Sequence, residues 1–171
     1  MNMTSTEGQL RIIRTFKAPR QLLFKVWTET EHLRKWWGPK GSTLHVAKHE
    51  LKPQGLFHYR LTSPDGHQMW AKFIYREIDA PEKLVFLNCF SDEEGNTVPA
   101  PFGPEFVDFP LEVNHEILFA EAEGGTTLTI TVGPHNATPK QQAFYQSMFE
   151  SMRQGFDGSF DELEGYLAEL Q

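Results

Sequence analysis

Between residues 43 and 132 the chain alternates extended stretches with short clusters of turn-forming residues, and this rhythm limits its fold more than any other feature. The extended stretches are residues 43–51, 56–62, 68–78, 83–90, 111–122 and 126–132. Between them stand Lys52-Pro53-Gln54-Gly55, Ser63-Pro64-Asp65-Gly66, Asp79-Ala80-Pro81-Glu82 and Glu123-Gly124-Gly125. These clusters supply the fixed φ of proline, the conformational freedom of glycine and the side-chain acceptors that tight turns use. Links so short leave no room for a crossover helix, so consecutive strands must pair antiparallel. Residues 10–16 (LRIIRTF) add one more strand, for a total of about seven.

Two helical patterns flank this run. After Pro19, residues Leu22, Leu23, Val26 and Trp27 recur at helical spacing. Thr30 is placed to cap a second short helix with Leu33, Trp36 and Trp37 on its apolar side, and Gly38-Pro39 stops it. From residue 138 to 170 a single long helix is expected. Thr138 stands as its N-cap and Pro139 as its first residue, and apolar positions step by three or four from Tyr145 through Phe160 to Leu167. Gly155, Gly158 and Gly165 weaken it by about 1 kcal/mol each relative to alanine. Close approach to a neighbouring element is the expected compensation.

These elements bury their apolar faces most economically as an α+β helix-grip: a curved antiparallel sheet around the long C-terminal helix, with the two short helices after the first strand closing one end. A curved sheet and one helix leave space between them, so a cavity is expected. At 171 residues with 39% apolar side chains, one domain over residues 10–171 accounts for the chain. Residues 1–9 (MNMTSTEGQ) are polar and expected to be frayed, neither a leader nor an anchor.

Charge and motif content narrow the function. Residues 1–60 hold 11 Lys/Arg against 4 Asp/Glu, while the remainder holds 5 against 19. The acidic part folds back on the basic part, and the cations lack the density that tracks a phosphate backbone, so no nucleic-acid partner is expected. No stretch approaches the roughly 20 apolar residues that span a bilayer, so no membrane partner is expected either. The single cysteine, Cys89, fits a cytoplasmic setting and reads as packing. No phosphate-cradling glycine loop, GxSxG, HExxH or CxxC occurs, so no cofactor is expected. Among the seven histidines, His49 falls opposite His58 if the turn centres on Pro53-Gln54, but no third ligand is evident and no metal site is expected.

Strand parity assigns the walls. Met69, Ala71, Phe73 and Tyr75 share one face of their strand, and Phe57, Tyr59 and Leu61 share one face of theirs; both sets should face inward. Val113, Ile117 and Phe119 share a face with His115, which makes it the one imidazole the pattern places inside. His115 is then a hydrogen-bonding group toward a ligand, a core histidine satisfied by a carbonyl or tyrosine, or an acid–base residue. Glu116 points to the opposite face and cannot orient it. Trp70 and Ile74 fall on the convex face, where an apolar strip would suit a homodimer or a protein partner. Residues 91–110, with four prolines and Phe102, Phe106 and Phe109, should fold over the opening as a lid. Consecutive helical residues point about 100° apart, so one of Trp36 and Trp37 should line the cavity mouth and the other pack beneath the sheet edge.

The opening RTFKAPRQLLFKVWTETEHLRKWWGPKG, the SPDG turn, the YREIDAPEKLVF hairpin and the glycine-aromatic helix around Gly155, Phe156, Phe160 and Leu163 occur in an order that resembles a known family. The chain is similar to the START-like (SRPBCC) superfamily, in the branch of homologues of the C-terminal domain of the activator of the heat-shock-protein-90 ATPase. Phe156 stands where that family often has tryptophan. The resemblance implies the helix-grip fold and a hydrophobic cavity, and it supplies no catalytic residue set.

The expected function is therefore binding of a small hydrophobic or aromatic molecule. The expected walls are Trp37, Phe57, Tyr59, Phe73 and Tyr75 from the first two-thirds of the chain, with His115, Ile117, Tyr145, Phe149 and Met152 from the remainder. The alternatives are a chaperone-linked interaction domain and a cyclase- or hydrolase-type enzyme with His115 as its acid or base.

Overall fold

A computed structural model describes residues 2–6 and 8–171 of the chain, the first five as backbone only. The strands form one antiparallel sheet. In chain order they are β1 (Asn2–Thr6), β2 (Gln9–Phe16), β3 (Thr43–His49), β4 (Leu56–Thr62), β5 (Gln68–Asp79), β6 (Lys83–Phe90), β7 (Val113–Ala122) and β8 (Gly125–Pro134). The sheet order is β1-β2-β8-β7-β6-β5-β4-β3, so every neighbour except the β2–β8 pair is also a neighbour in sequence. The segments read from sequence are β2 to β8. β1 pairs residue by residue with β2 where a frayed terminus was expected; Met1 and Glu7 lie outside the described residues.

The turns do what their residues predict. In Ser63–Gly66, the Gly66 N–H returns to the Ser63 carbonyl at 2.9 Å, and Gly66 takes φ +89°, a region that side chains disfavour. Gly125 answers to a different demand. A Cβ there would lie 2.0 Å from the Phe16 carbonyl oxygen, so only glycine lets β8 begin against the end of β2.

Between β2 and β3 lie helices α1 (Arg20–Thr28) and α2 (Thr30–Trp36), which close one end of the sheet. Thr30 does not cap α2. Its hydroxyl instead meets His49 Nδ1 at 2.6 Å and ties the helix start to the edge strand β3. Trp36 is fully buried, edge-on to Trp27, and its indole N–H donates to the Val26 carbonyl at 2.9 Å, which locks the two helices together.

The expected single C-terminal helix is two: α3 (Pro139–Ser147) and α4 (Phe149–Glu169). Thr138 caps α3 as expected, with Gln141 N–H donating to its hydroxyl at 3.1 Å and the Gln141 side chain accepting from Thr138 N–H at 2.9 Å. At the break, around Met148, the Ser147 hydroxyl donates to the Phe144 carbonyl, the acceptor that Met148 would use in a continuous helix. Met148 N–H turns instead to Tyr145 at 3.0 Å, and a new helix starts with Met152 N–H donating to Met148. The three α4 glycines do not sit at close approaches: nothing lies within 4 Å of a Cβ built at Gly155, Gly158 or Gly165.

The core lies between the concave face of the sheet and α1, α2 and α4. Phe16, Trp27, Phe73, Phe86, Ile117, Phe160 and Leu163 are its fully buried centre. Each such side chain contributes roughly 1.5–3 kcal/mol by leaving water. No helix among the described residues is long and apolar enough to cross a membrane.

Candidate functional site

The core does not fill the whole interior. Beneath α3 and the first half of α4 a cavity of about 370 Å³ remains. Its floor is Tyr59 and Leu61 of β4, Met69 and Ala71 of β5, Asn88 and Phe90 of β6, and Val113 and His115 of β7. Tyr145 of α3 and Met152, Phe156 and Ser159 of α4 cover it, and Trp36 to Pro39 with Phe109 to Leu111 complete the wall. No Lys, Arg, Asp or Glu lines it.

Of the ten residues expected to form the walls, Trp37, Tyr59, His115, Tyr145 and Met152 line this cavity. Phe57, Phe73, Tyr75 and Ile117 face inward as parity requires, but they are fully buried in the filled core beside it. Phe73 stacks on Phe86 at 3.9 Å and meets Trp37 edge-on at 5.1 Å, which leaves no free face for a guest. Phe149 packs against Tyr145 at 5.8 Å instead of entering the cavity. Phe90 and Phe156 also line it without being among the expected walls, and Phe109 reaches it from the segment expected as a lid. Phe90 shares the inward parity of Phe86, so its signal was present in the sequence.

Both adjacent tryptophans reach the cavity, against the expectation of one. The helical 100° offset does not apply, because α2 ends at Trp36 and Trp37 is already extended (φ −75°, ψ 130°). Trp37 then turns back, 5.5 Å from Trp36 and edge-on to it, and its indole N–H donates to the Tyr59 hydroxyl at 3.1 Å.

The segment expected as a lid divides in two. Residues 91–98 fold over the convex face: the buried Lys72 ammonium donates to the Gly95 carbonyl at 2.8 Å, and the His58 ring meets the Asp92 carbonyl at 3.1 Å. Only the later part, at Phe109 to Leu111, reaches the cavity. The expected convex apolar strip is correspondingly interrupted, since Trp70 is half-buried against His58 at 4.9 Å and beneath the Arg60 guanidinium at 5.6 Å. The expected His49–His58 pair does not form either. A bulge between Val46 and Lys48 shifts the register, so that His49 lies opposite Phe57 and turns inward to the Tyr75 hydroxyl at 2.9 Å.

His115 is the cavity's most constrained polar group. It is buried and stacks on Phe86 at 4.9 Å and 13°. Its Nδ1 lies 3.3 Å from the Val113 carbonyl, and a carbonyl only accepts, so Nδ1 carries the proton and donates. Nε2 is left as an acceptor, on the ring edge away from the strand, with no partner among the described residues. Burial pushes the imidazole down to about 4. It is therefore neutral at physiological pH. The Tyr145 hydroxyl likewise has no protein partner among the described residues, and burial raises its pKa.

Comparison with known proteins agrees with this architecture. Protein Ms6760 of Mycobacterium smegmatis superposes with a TM-score of 0.79 at 22% identity, covering 100% of this chain and 99% of that one. A protein of Arthrobacter aurescens gives 0.81 at 21% identity, over 98% and 91%. The AHSA1 protein of Silicibacter pomeroyi gives 0.71 at 18%, over 95% and 99%. At such identities these likenesses show the fold alone. No functionally curated protein matches the chain by sequence. The family model described as Activator of Hsp90 ATPase homolog 1-like protein matches residues 17–168, a span that holds β3 to β8 and the helices that enclose the cavity. The chain belongs to that family.

Proposed function

We propose that the protein binds a small hydrophobic or aromatic molecule in the cavity beneath α3 and α4. The observation that carries this reading is the cavity itself: about 370 Å³, within the range of small-molecule sites, with aromatic walls and few polar groups. Transferring about 200 Å² of a guest's apolar surface from water would contribute roughly 5 kcal/mol before the cost of association is subtracted. The single free Cys89 is consistent with a cytoplasmic setting for this activity.

An acid–base role for His115 is the weaker reading. Its Nδ1 is held by a backbone carbonyl, where a catalytic dyad would place a carboxylate. Glu116 faces the other way, 3.9 Å from Lys83. An imidazole that titrates near 4 carries few protons at neutral pH and has little basicity with which to take one.

The test uses N-phenyl-1-naphthylamine, a neutral dye that fluoresces in apolar surroundings. The native protein should enhance its emission saturably. Ala71→Phe, which places a ring on the cavity floor, should abolish the enhancement while circular dichroism stays native. A dye that responds equally to both proteins would refute the reading.

A further inference from the structure

The receptor reading leaves the chemistry of the guest open, and the polar groups of the cavity narrow it. Resting on that reading, we infer that the occupant is an uncharged ring compound that presents a hydrogen-bond donor, a hydroxyl or N–H, to Nε2 of His115. Three observations converge on this.

The first is the absence of charge. Among the 21 residues that line the cavity none is Lys, Arg, Asp or Glu. An ionised carboxylate or phosphate would lose its hydration there and find no cation to replace it, which selects strongly against anions. An ammonium group would meet no counter-carboxylate. Fatty acids and phosphorylated metabolites are thereby disfavoured, although the walls are oily enough to hold their tails.

The second is the fixed tautomer. The Val113 carbonyl takes the Nδ1 proton, and stacking on Phe86 holds the ring plane. With Nδ1 turned back toward the strand, the Nε2 lone pair points away from it, and Phe156, whose ring centre lies 6.3 Å from that of the imidazole, lines the same cavity. An acceptor with a fixed direction that a bound guest would shield from water favours a ligand that donates to it and penalises one that cannot. An ether or a hydrocarbon of the same outline would leave Nε2 without a partner.

The third is a second hydrogen-bonding group on the wall. Tyr145 of α3 lines the same cavity, and its hydroxyl has no protein partner among the described residues. A guest with a donor at one end and a carbonyl or hydroxyl oxygen at the other would satisfy both groups. The flanking Trp37, Phe90, Phe109 and Phe156 favour a flat ring system between them.

The discriminating experiment compares three molecules of nearly one outline by titration calorimetry at about pH 7.5: 2-naphthol, its methyl ether 2-methoxynaphthalene, and 2-naphthoate. The native protein should bind 2-naphthol at least about tenfold more tightly than the ether, and 2-naphthoate about a hundredfold more weakly than 2-naphthol. In His115→Phe the preference for naphthol over ether should shrink to within about twofold. His115→Gln, whose amide oxygen can still accept, should keep part of that preference and serves if the phenylalanine variant does not fold. Equal binding of naphthol and ether by native protein, or tight binding of naphthoate, overturns the inference and leaves the hydrophobic receptor standing. Failure of all three to bind overturns both.

Discussion

The two halves of α4 lie on the same sheet and carry the same apolar spacing, yet one half is packed and the other roofs a hollow. In the second half, Phe160, Leu163 and Leu167 are at most 2% exposed, and Phe160 meets Phe16 and Trp27 edge-on at 5.8 and 6.4 Å. In the first half, Met152 and Phe156 are only half-buried, with Leu61, Met69 and Phe90 across an open space. Hydrophobic periodicity does not separate these outcomes. The difference comes from what stands opposite: α1 and α2 bring Trp27 and Leu33 up to the second half, whereas the first half faces Ala71, a small residue on the floor, and hangs from the break at Met148. A cavity thus arises here from the placement of neighbours around a helix, with no shortage of apolar side chains.

The largest effect that could break this comparison is truncation in each half. Leu163→Ala should lower stability by about 3 kcal/mol, the value typical of a fully buried leucine whose surroundings cannot collapse. Met152→Ala, at the edge of an existing void, should cost less than about 1 kcal/mol. Urea denaturation of the two variants measures the difference. Equal losses would mean that the first half is as tightly packed as the second.

A nearly equal effect should appear as a dependence on pH, and it belongs to the hollow side. Burial depresses the folded-state pKa of His115 from 6.5 to about 4, so the unfolded chain takes up the proton first as pH falls. The stability contributed by the neutral ring is complete above about pH 6.5 and is lost progressively down to pH 4, by up to about 3 kcal/mol. His49, lowered by burial as well, adds in the same direction. Comparing denaturation midpoints at pH 7 and pH 4.5 measures the loss, and His115→Phe should reduce it. An unchanged pH profile in that variant would show that water in the cavity already solvates the ring.

The same contrast explains which parts of the site were legible in the sequence. Alternation along β4 and β5 placed Tyr59, Phe73 and Tyr75 on the inward face because the side-chain period of a strand is fixed by geometry. It placed His115 inside for the same reason. Alternation could not say that Phe73 lies in the filled part and Tyr59 at the void, since both are inward and both are buried. That distinction goes with the break between α3 and α4, where the Ser147 hydroxyl competes for the Phe144 carbonyl, a local contact that apolar spacing does not register. Where alternation failed outright, at His49, a bulge had inserted one residue and exchanged the faces beyond it.

The smallest expected effect is also the one that asks whether the roof must move. Gly158 and Gly165 are both exposed helical positions, one in each half, with nothing within 4 Å of a built Cβ. Alanine fits either without strain, so each substitution should stabilise the protein by about 1 kcal/mol through helix propensity. Their effects on ligand entry should differ. The cavity is open at its rim, where Pro39, Leu111 and Gly155 are exposed, and Tyr145, Met152 and Phe156 stand over it, so a guest that enters beneath this roof requires the first half of α4 to lift or bend. Gly158→Ala stiffens the segment that bends and should slow association of N-phenyl-1-naphthylamine several-fold, with a smaller change in its equilibrium affinity. Gly165→Ala stiffens a segment already held by Leu163 and Leu167 and should leave the association rate unchanged. Stopped-flow fluorescence separates the two cases, and equal rates in both variants would place the entrance elsewhere, along the segment between Trp37 and Pro39.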